Sequence, residues 1–140
     1  MTAEDKNRLQ ELVIRSRSYQ QALQQAAQQF SVVEKTRNEL SDSLATIKEF
    51  PDMKKDEIFV PLGGGVYSKC KLLDTKKFLV MTQAGVFVDK SPKEATLYLE
   101  KQISRVDKNL DLFQNQIQSL QSKISELDKQ AAELHSKTKE

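Results

Sequence analysis

The chain has 140 residues, a formal net charge of +2, 38% hydrophobic and 30% charged residues, and a single cysteine. That balance is too polar for a thick core and suits a coiled coil, whose interior is a narrow seam. The lone Cys70 excludes an intramolecular disulfide and fits a reducing compartment, and no apolar run approaches the length of about 18 residues that a spanning helix needs. The polar start Met1-Thr2-Ala3-Glu4-Asp5 lacks a secretory pattern, so a soluble cytoplasmic protein with no membrane partner is expected.

The first element is a long helical arm over residues 1–50. Leu9, Leu12, Ser16, Tyr19, Leu23, Ala26, Phe30, Val33, Arg37, Leu40, Leu44 and Ile47 alternate in steps of three and four, which keeps one seam facing a partner helix. Only Ser16 and Arg37 break its apolar character. Thr2 and Asp5 offer a weak start signal, because a short side-chain oxygen can satisfy a free first-turn amide. The glutamine-rich patch over 20–29 keeps the seam in register and reads as helix formers on exposed positions. Arg37, at a seam position, is expected to extend its guanidinium to water along its aliphatic stem.

Phe50-Pro51 ends this arm, since the residue before proline is pushed out of helical torsion angles. Every proline and glycine of the chain lies between Pro51 and Pro92, which marks 51–91 as an insert. A charged connector over 54–57 leads to a short strand around 58–62. Residues 66–73 then alternate, and 77–82 and 86–89 read as two further strands separated by Gln83-Ala84-Gly85. Four short strands make two hairpins. Their core is too small to stand alone and their edges are open, so the insert is expected to oligomerise through Val60, Val66, Cys70, Leu72, Phe78, Val80, Val86 and Val88.

Ser91-Pro92-Lys93-Glu94 is a helix start, with Ser91 as cap, Pro92 in the first turn and Glu94 completing a capping box. The second arm, 92–140, carries Leu99, Ile103, Val106, Leu110, Phe113, Ile117, Leu120, Ile124, Leu127, Ala131 and Leu134 at the same alternation. Each arm of roughly 46 residues would extend about 70 Å. Because both belong to one chain, each is the other's least costly partner, so the fold class is mainly α: a long antiparallel two-helix coiled coil with two β-hairpins at the bend.

Charge is balanced along both arms and carries only a small basic excess in the insert, which argues against a nucleic-acid surface. Gly63-Gly64-Gly65 is followed by a strand and by no Gly-Lys-Ser or Gly-Lys-Thr, so it is a bend and not a phosphate loop. His135 has no cysteine at metal spacing. No residue set suggests catalysis, a cofactor or a metal, and an enzyme is not expected.

The segment Val60-Pro61-Leu62-Gly63-Gly64-Gly65, the strand through Lys69-Cys70-Lys71-Leu72, the run Gly85-Val86-Phe87-Val88-Asp89-Lys90-Ser91 and the following Glu94-Ala95 resemble the α-type prefoldin subunit, closer to its archaeal form. That resemblance implies an ATP-independent chaperone. Two α-type and four β-type subunits would form a double β barrel carrying six coiled coils. Unfolded client proteins would be held between the coil tips and passed to a group II chaperonin. Leu9, Leu12, Val13, Leu127, Ala131 and Leu134 are then the expected client-binding residues, with Val13 the most accessible because it lies beside the seam. The competing expectation is a coiled-coil scaffold without chaperone activity, or a prefoldin-like subunit of a larger assembly that binds one folded partner.

Overall fold

The computed structural model describes residues 2–53 and 57–137; most of the charged connector expected over 54–57 lies outside them. Helix α1 runs over Ala3–Glu49 and helix α2 over Pro92–Lys137, with strands β1 (Glu57–Gly63), β2 (Val66–Lys71), β3 (Phe78–Met81) and β4 (Phe87–Lys90) between them in sequence. The fold is therefore mainly helical, with two small antiparallel hairpins. The chain divides into two compact units, one of Met1–Thr36 with Val106–Glu140 and the other of Arg37–Arg105.

In the first unit the helices pair in opposite directions. The Ser16 hydroxyl donates to Asp128 Oδ1 at 3.1 Å, and Lys123 Nζ sits 5.5 Å from the centre of the Tyr19 ring, so the contact moves down one helix as it moves up the other. Leu12, Ser16 and Ala26 of α1 and Leu120 and Leu127 of α2 are buried, while Tyr19, Leu23, Phe30, Val33, Phe113, Ile117 and Ile124 are half-buried. Those are the residues of the three-four alternation. Among the described residues of this unit no large side chain is fully buried, as expected for two helices that cover one another along one stripe each. Thr2 caps α1, its Oγ1 accepting from the Asp5 amide at 3.2 Å.

The second unit holds the ends of both helices nearest the insert and all four strands. Helix α1 finishes in a single tight turn over Phe50–Asp52, the outcome that Pro51 imposes. Strands β1 and β2 pair with Ile58 opposite Cys70 and Val60 opposite Ser68, and the register shifts between Pro61 and Gly63. Gly64 and Gly65 have φ of 61° and 81°, the positive values that a tight two-residue hairpin turn needs at both central positions. The glycine run is thus an ordered turn. Strands β3 and β4 pair with Phe78 opposite Lys90 and Val80 opposite Val88; the Thr82 amide donates to the Val86 carbonyl at 2.9 Å and closes their turn.

Each hairpin belongs to its own two-stranded sheet. Phe78 of β3 meets the edge of the Phe50 ring at a centroid distance of 5.4 Å, and the Tyr98 hydroxyl of α2 donates to the Met81 carbonyl at 3.3 Å. These contacts tie β3 to both helix ends. The start of α2 lies where Ser91-Pro92 places it, with the Glu94 amide donating to Ser91 Oγ at 3.2 Å. Ala95 and Leu99 on its inner face are buried.

Candidate functional site

Two surfaces, one in each unit, expose apolar side chains at a density that calls for a ligand or partner. In the first unit, Leu12-Val13-Ile14 places three large apolar residues in succession, and a seam of 3.5-residue period can absorb one of them. Leu12 takes the seam position at 6% exposure, which leaves Val13 at 40% and Ile14 at 67% exposed. Leu9, Gln10, Val13 and Ile14 line a shallow apolar concavity on the early turns of α1.

The opposite helix supplies Leu127, buried at 9%, and Ala131 and Leu134, both half-buried. Leu12 and Val13 share a second groove with Leu127 and Ala131, and Ser16 and Asp128 border it. The expected tip residues therefore separate by role. Leu12 and Leu127 close the coil, Leu9, Ala131 and Leu134 are half covered, and Val13 is accessible. Ile14 was missed because it lies on neither the seam nor its flank; its signal was the unbroken apolar triplet.

In the second unit, Val60, Cys70, Leu72, Phe78 and Val80 are half-buried within the chain itself, whereas Val66, Val86 and Val88 are exposed. The Cys70 thiol points toward Ser68 Oγ, 3.9 Å away. The opposite sheet faces carry a larger exposed set that the valine-based reading did not include. Phe59 and Tyr67 on the first hairpin and Leu79, Met81 and Phe87 on the second are each 59–69% exposed, and Leu62, at the register shift, is 67% exposed.

The two hairpins differ in charge on that outer face. Around Phe59 stand Glu57, Lys69 and Lys71, with Glu57 and Lys69 ion-paired at 3.0 Å and half or more exposed, a contact worth little in water. Around Leu79, Met81 and Phe87 the register brings only Asp89. Apolar faces of this kind, on two-stranded sheets with open edges, are covered by adding strands or a second sheet. Among the described residues no cluster of His, Cys, Asp or Glu is placed to hold a metal. Among them, too, no helix is long and apolar enough to cross a membrane.

The family model described as "Prefoldin subunit" matches residues 19–137. A "Prefoldin subunit alpha" of Methanoculleus marisnigri is 26% identical over 129 residues, covering 92% of this chain and 87% of that protein. "Prefoldin subunit alpha 1" of Thermococcus kodakarensis is 34% identical over 102 residues, covering 72% and 70%. Among solved structures, filamentous PFD from Methanocaldococcus jannaschii, determined by cryo-electron microscopy, superposes with a TM-score of 0.69 at 22% identity, covering 80% of this chain and 93% of its own.

Proposed function

Because the chain belongs to the prefoldin family as an α-type subunit, we propose that it is an ATP-independent holding chaperone that captures nonnative proteins at the free end of its paired helices. It would assemble through its hairpins with β-type subunits and a second α-type copy, and release clients to a group II chaperonin in the cytoplasm. The observation that carries the reading is the exposure of Val13 and Ile14 beside a closed Leu12–Leu127 seam. Accessible apolar area is offered without opening the coil.

Each such side chain contributes roughly 1.5 to 3 kcal/mol when fully buried, and a single arm therefore binds weakly and reversibly. Several arms on one body raise the effective concentration of the remaining contacts, which converts weak grips into useful retention. Helix ends also open at low free-energy cost, so fraying adds Leu9, Leu12, Leu127, Ala131 and Leu134 to the accessible set. Assembly would use the outward residues Phe59, Tyr67, Leu79, Met81 and Phe87 together with Val66, Val86 and Val88. The half-buried Val60, Cys70, Leu72, Phe78 and Val80 would back them from the other face.

The test mixes the purified chain, with its assembly mass measured, with chemically denatured proteins of unrelated sequence and follows light scattering. Suppression for several clients is expected. Removing 1–13 and 127–140 should abolish suppression and preserve assembly mass. Suppression for none, with tight binding to one folded protein, would replace the chaperone by a scaffold.

A further inference from the structure

Within the first unit, charge disappears from a matched stretch of both helices. Residues 18–33 of α1 and 112–122 of α2 contain no Asp, Glu, Lys, Arg or His, in a chain that is 30% charged. The two stretches lie side by side. The contacts of Ser16 with Asp128 and of Tyr19 with Lys123 set the register, and Gln25, Gln28, Gln29, Val32 and Val33 share a groove with Phe113.

On this belt Val32 and Leu112 are 67% and 68% exposed. Each stands two residues beyond a seam member, Phe30 and Leu110, and equal heptad positions of an antiparallel pair fall on one side of the coil. Gln25, Gln29, Gln116 and Ser119 occupy the neighbouring positions of that side and are all exposed. A solvated coiled-coil face ordinarily intersperses charges of both signs; here it offers neutral amides around two exposed aliphatic side chains.

A carboxamide carries both donors and an acceptor, as a peptide group does, and so can pair with an extended backbone whatever its sequence. We infer that this charge-free belt is a second holding surface for nonnative polypeptide, separate from the free end. It grips extended backbone through glutamine side chains and apolar side chains through Val32 and Leu112. The inference rests on the chaperone reading above.

Dimensions select this occupant over a second copy of the chain. Charge-free on both helices over eleven residues, the belt is roughly 16 Å long at the helical rise and about one helix diameter wide. That area falls well short of the ~800 Å² per partner of a stable protein interface. An extended segment of about five residues spans the same length. Neutrality has a consequence as well: binding at the belt depends only weakly on salt, because charged residues such as Asp111 and Lys123 flank it but none lies within it.

The probe is reduced, carboxymethylated and fluorescently labelled lactalbumin, which cannot refold, titrated with the full chain at about 50 and about 500 mM salt. Gln25→Glu, Val32→Lys, Leu112→Glu and Ser119→Lys together charge the belt at exposed positions without changing net charge; circular dichroism checks the helices and mass measurement the assembly. A second variant, Val13→Ser with Ile14→Ser, alters the free end alone. Charging the belt should raise Kd about fivefold to tenfold, the loss of two partial apolar contacts, with helicity and mass unchanged. A milder variant, Val32→Ser with Leu112→Ser, should show a smaller rise in the same direction. If both belt variants bind as the parent does while the free-end variant weakens, the belt is overturned and the chaperone reading stands. No binding by the parent chain overturns both. A change in assembly mass without a change in Kd would assign the belt to contacts between subunits instead.

Discussion

Leu12 and Ile14 sit two residues apart on α1 and provide a direct test of the separation between closing the coil and exposing apolar surface. Leu12 is 6% and Ile14 67% exposed. Truncating a buried leucine to alanine costs 2 to 5 kcal/mol, and a two-helix seam, open to solvent on both flanks, belongs near ~2 kcal/mol. Ile14 loses only the third of its surface that is covered, about 0.5 to 1 kcal/mol, and alanine returns a few tenths through its better helix propensity. Its net change is therefore about half a kcal/mol or less. For a chain of this size 1 kcal/mol moves Tm by about 4 °C, so Leu12→Ala should lower the helix transition by about 8 °C and Ile14→Ala by about 2 °C or less. The measurement is the 222 nm circular dichroism melt at fixed concentration, with suppression of client scattering measured on the same preparations below the transition. Ile14→Ala should weaken suppression more than Leu12→Ala does. Equal thermal shifts, or a Leu12→Ala variant of unchanged Tm that no longer suppresses scattering, would refute the assignment of the two residues to different tasks.

Other consequences are simpler to state. Ser16→Ala removes the hydrogen bond to Asp128, whose exposed carboxylate regains water, so a loss of about 0.5 to 1.5 kcal/mol by urea denaturation is expected; a gain would mean that the polar seam position strains the pair. Replacing both Gly64 and Gly65 with alanine meets no atom within 4 Å of either new Cβ, yet imposes left-handed torsions on both, and should cost about 1 to 2 kcal/mol per site, reported by loss of assembly before loss of helix. Ser91→Ala should cost about 1 kcal/mol through the unsatisfied amide of Glu94, with native-state hydrogen exchange faster in the first turn of α2 and unchanged near residue 120. Leu79→Ser with Phe87→Ser should shrink the assembled particle in sedimentation while the helical signal persists; a particle of unchanged mass would place the contact on the other sheet face.

The helices were legible almost to the residue because their information is local. A three-four alternation fixes which stripe is covered without knowledge of what covers it, and each seam member from Leu9 to Ile47 and from Leu99 to Leu134 is buried or half-buried. Ser16 shows the same logic at a polar position: periodicity put it in the seam, while its partner Asp128 could be identified only once the register was known. The strands gave up their existence and pairing, but not which face looks outward. Alternation has a period and no sign. In β3 the sequence Phe78-Leu79-Val80-Met81 is apolar on both faces, so no polar residue marks the solvent side there, whereas on the first hairpin Glu57, Lys69 and Lys71 mark the face of Phe59. The Phe50 contact supplies the missing sign: Phe78 packs edge-to-face against Phe50, which turns Leu79 and Met81 away. A sheet with two apolar faces and one covered face has one left over, and that remainder is why these hairpins read as assembly surfaces whichever residues are chosen to represent them.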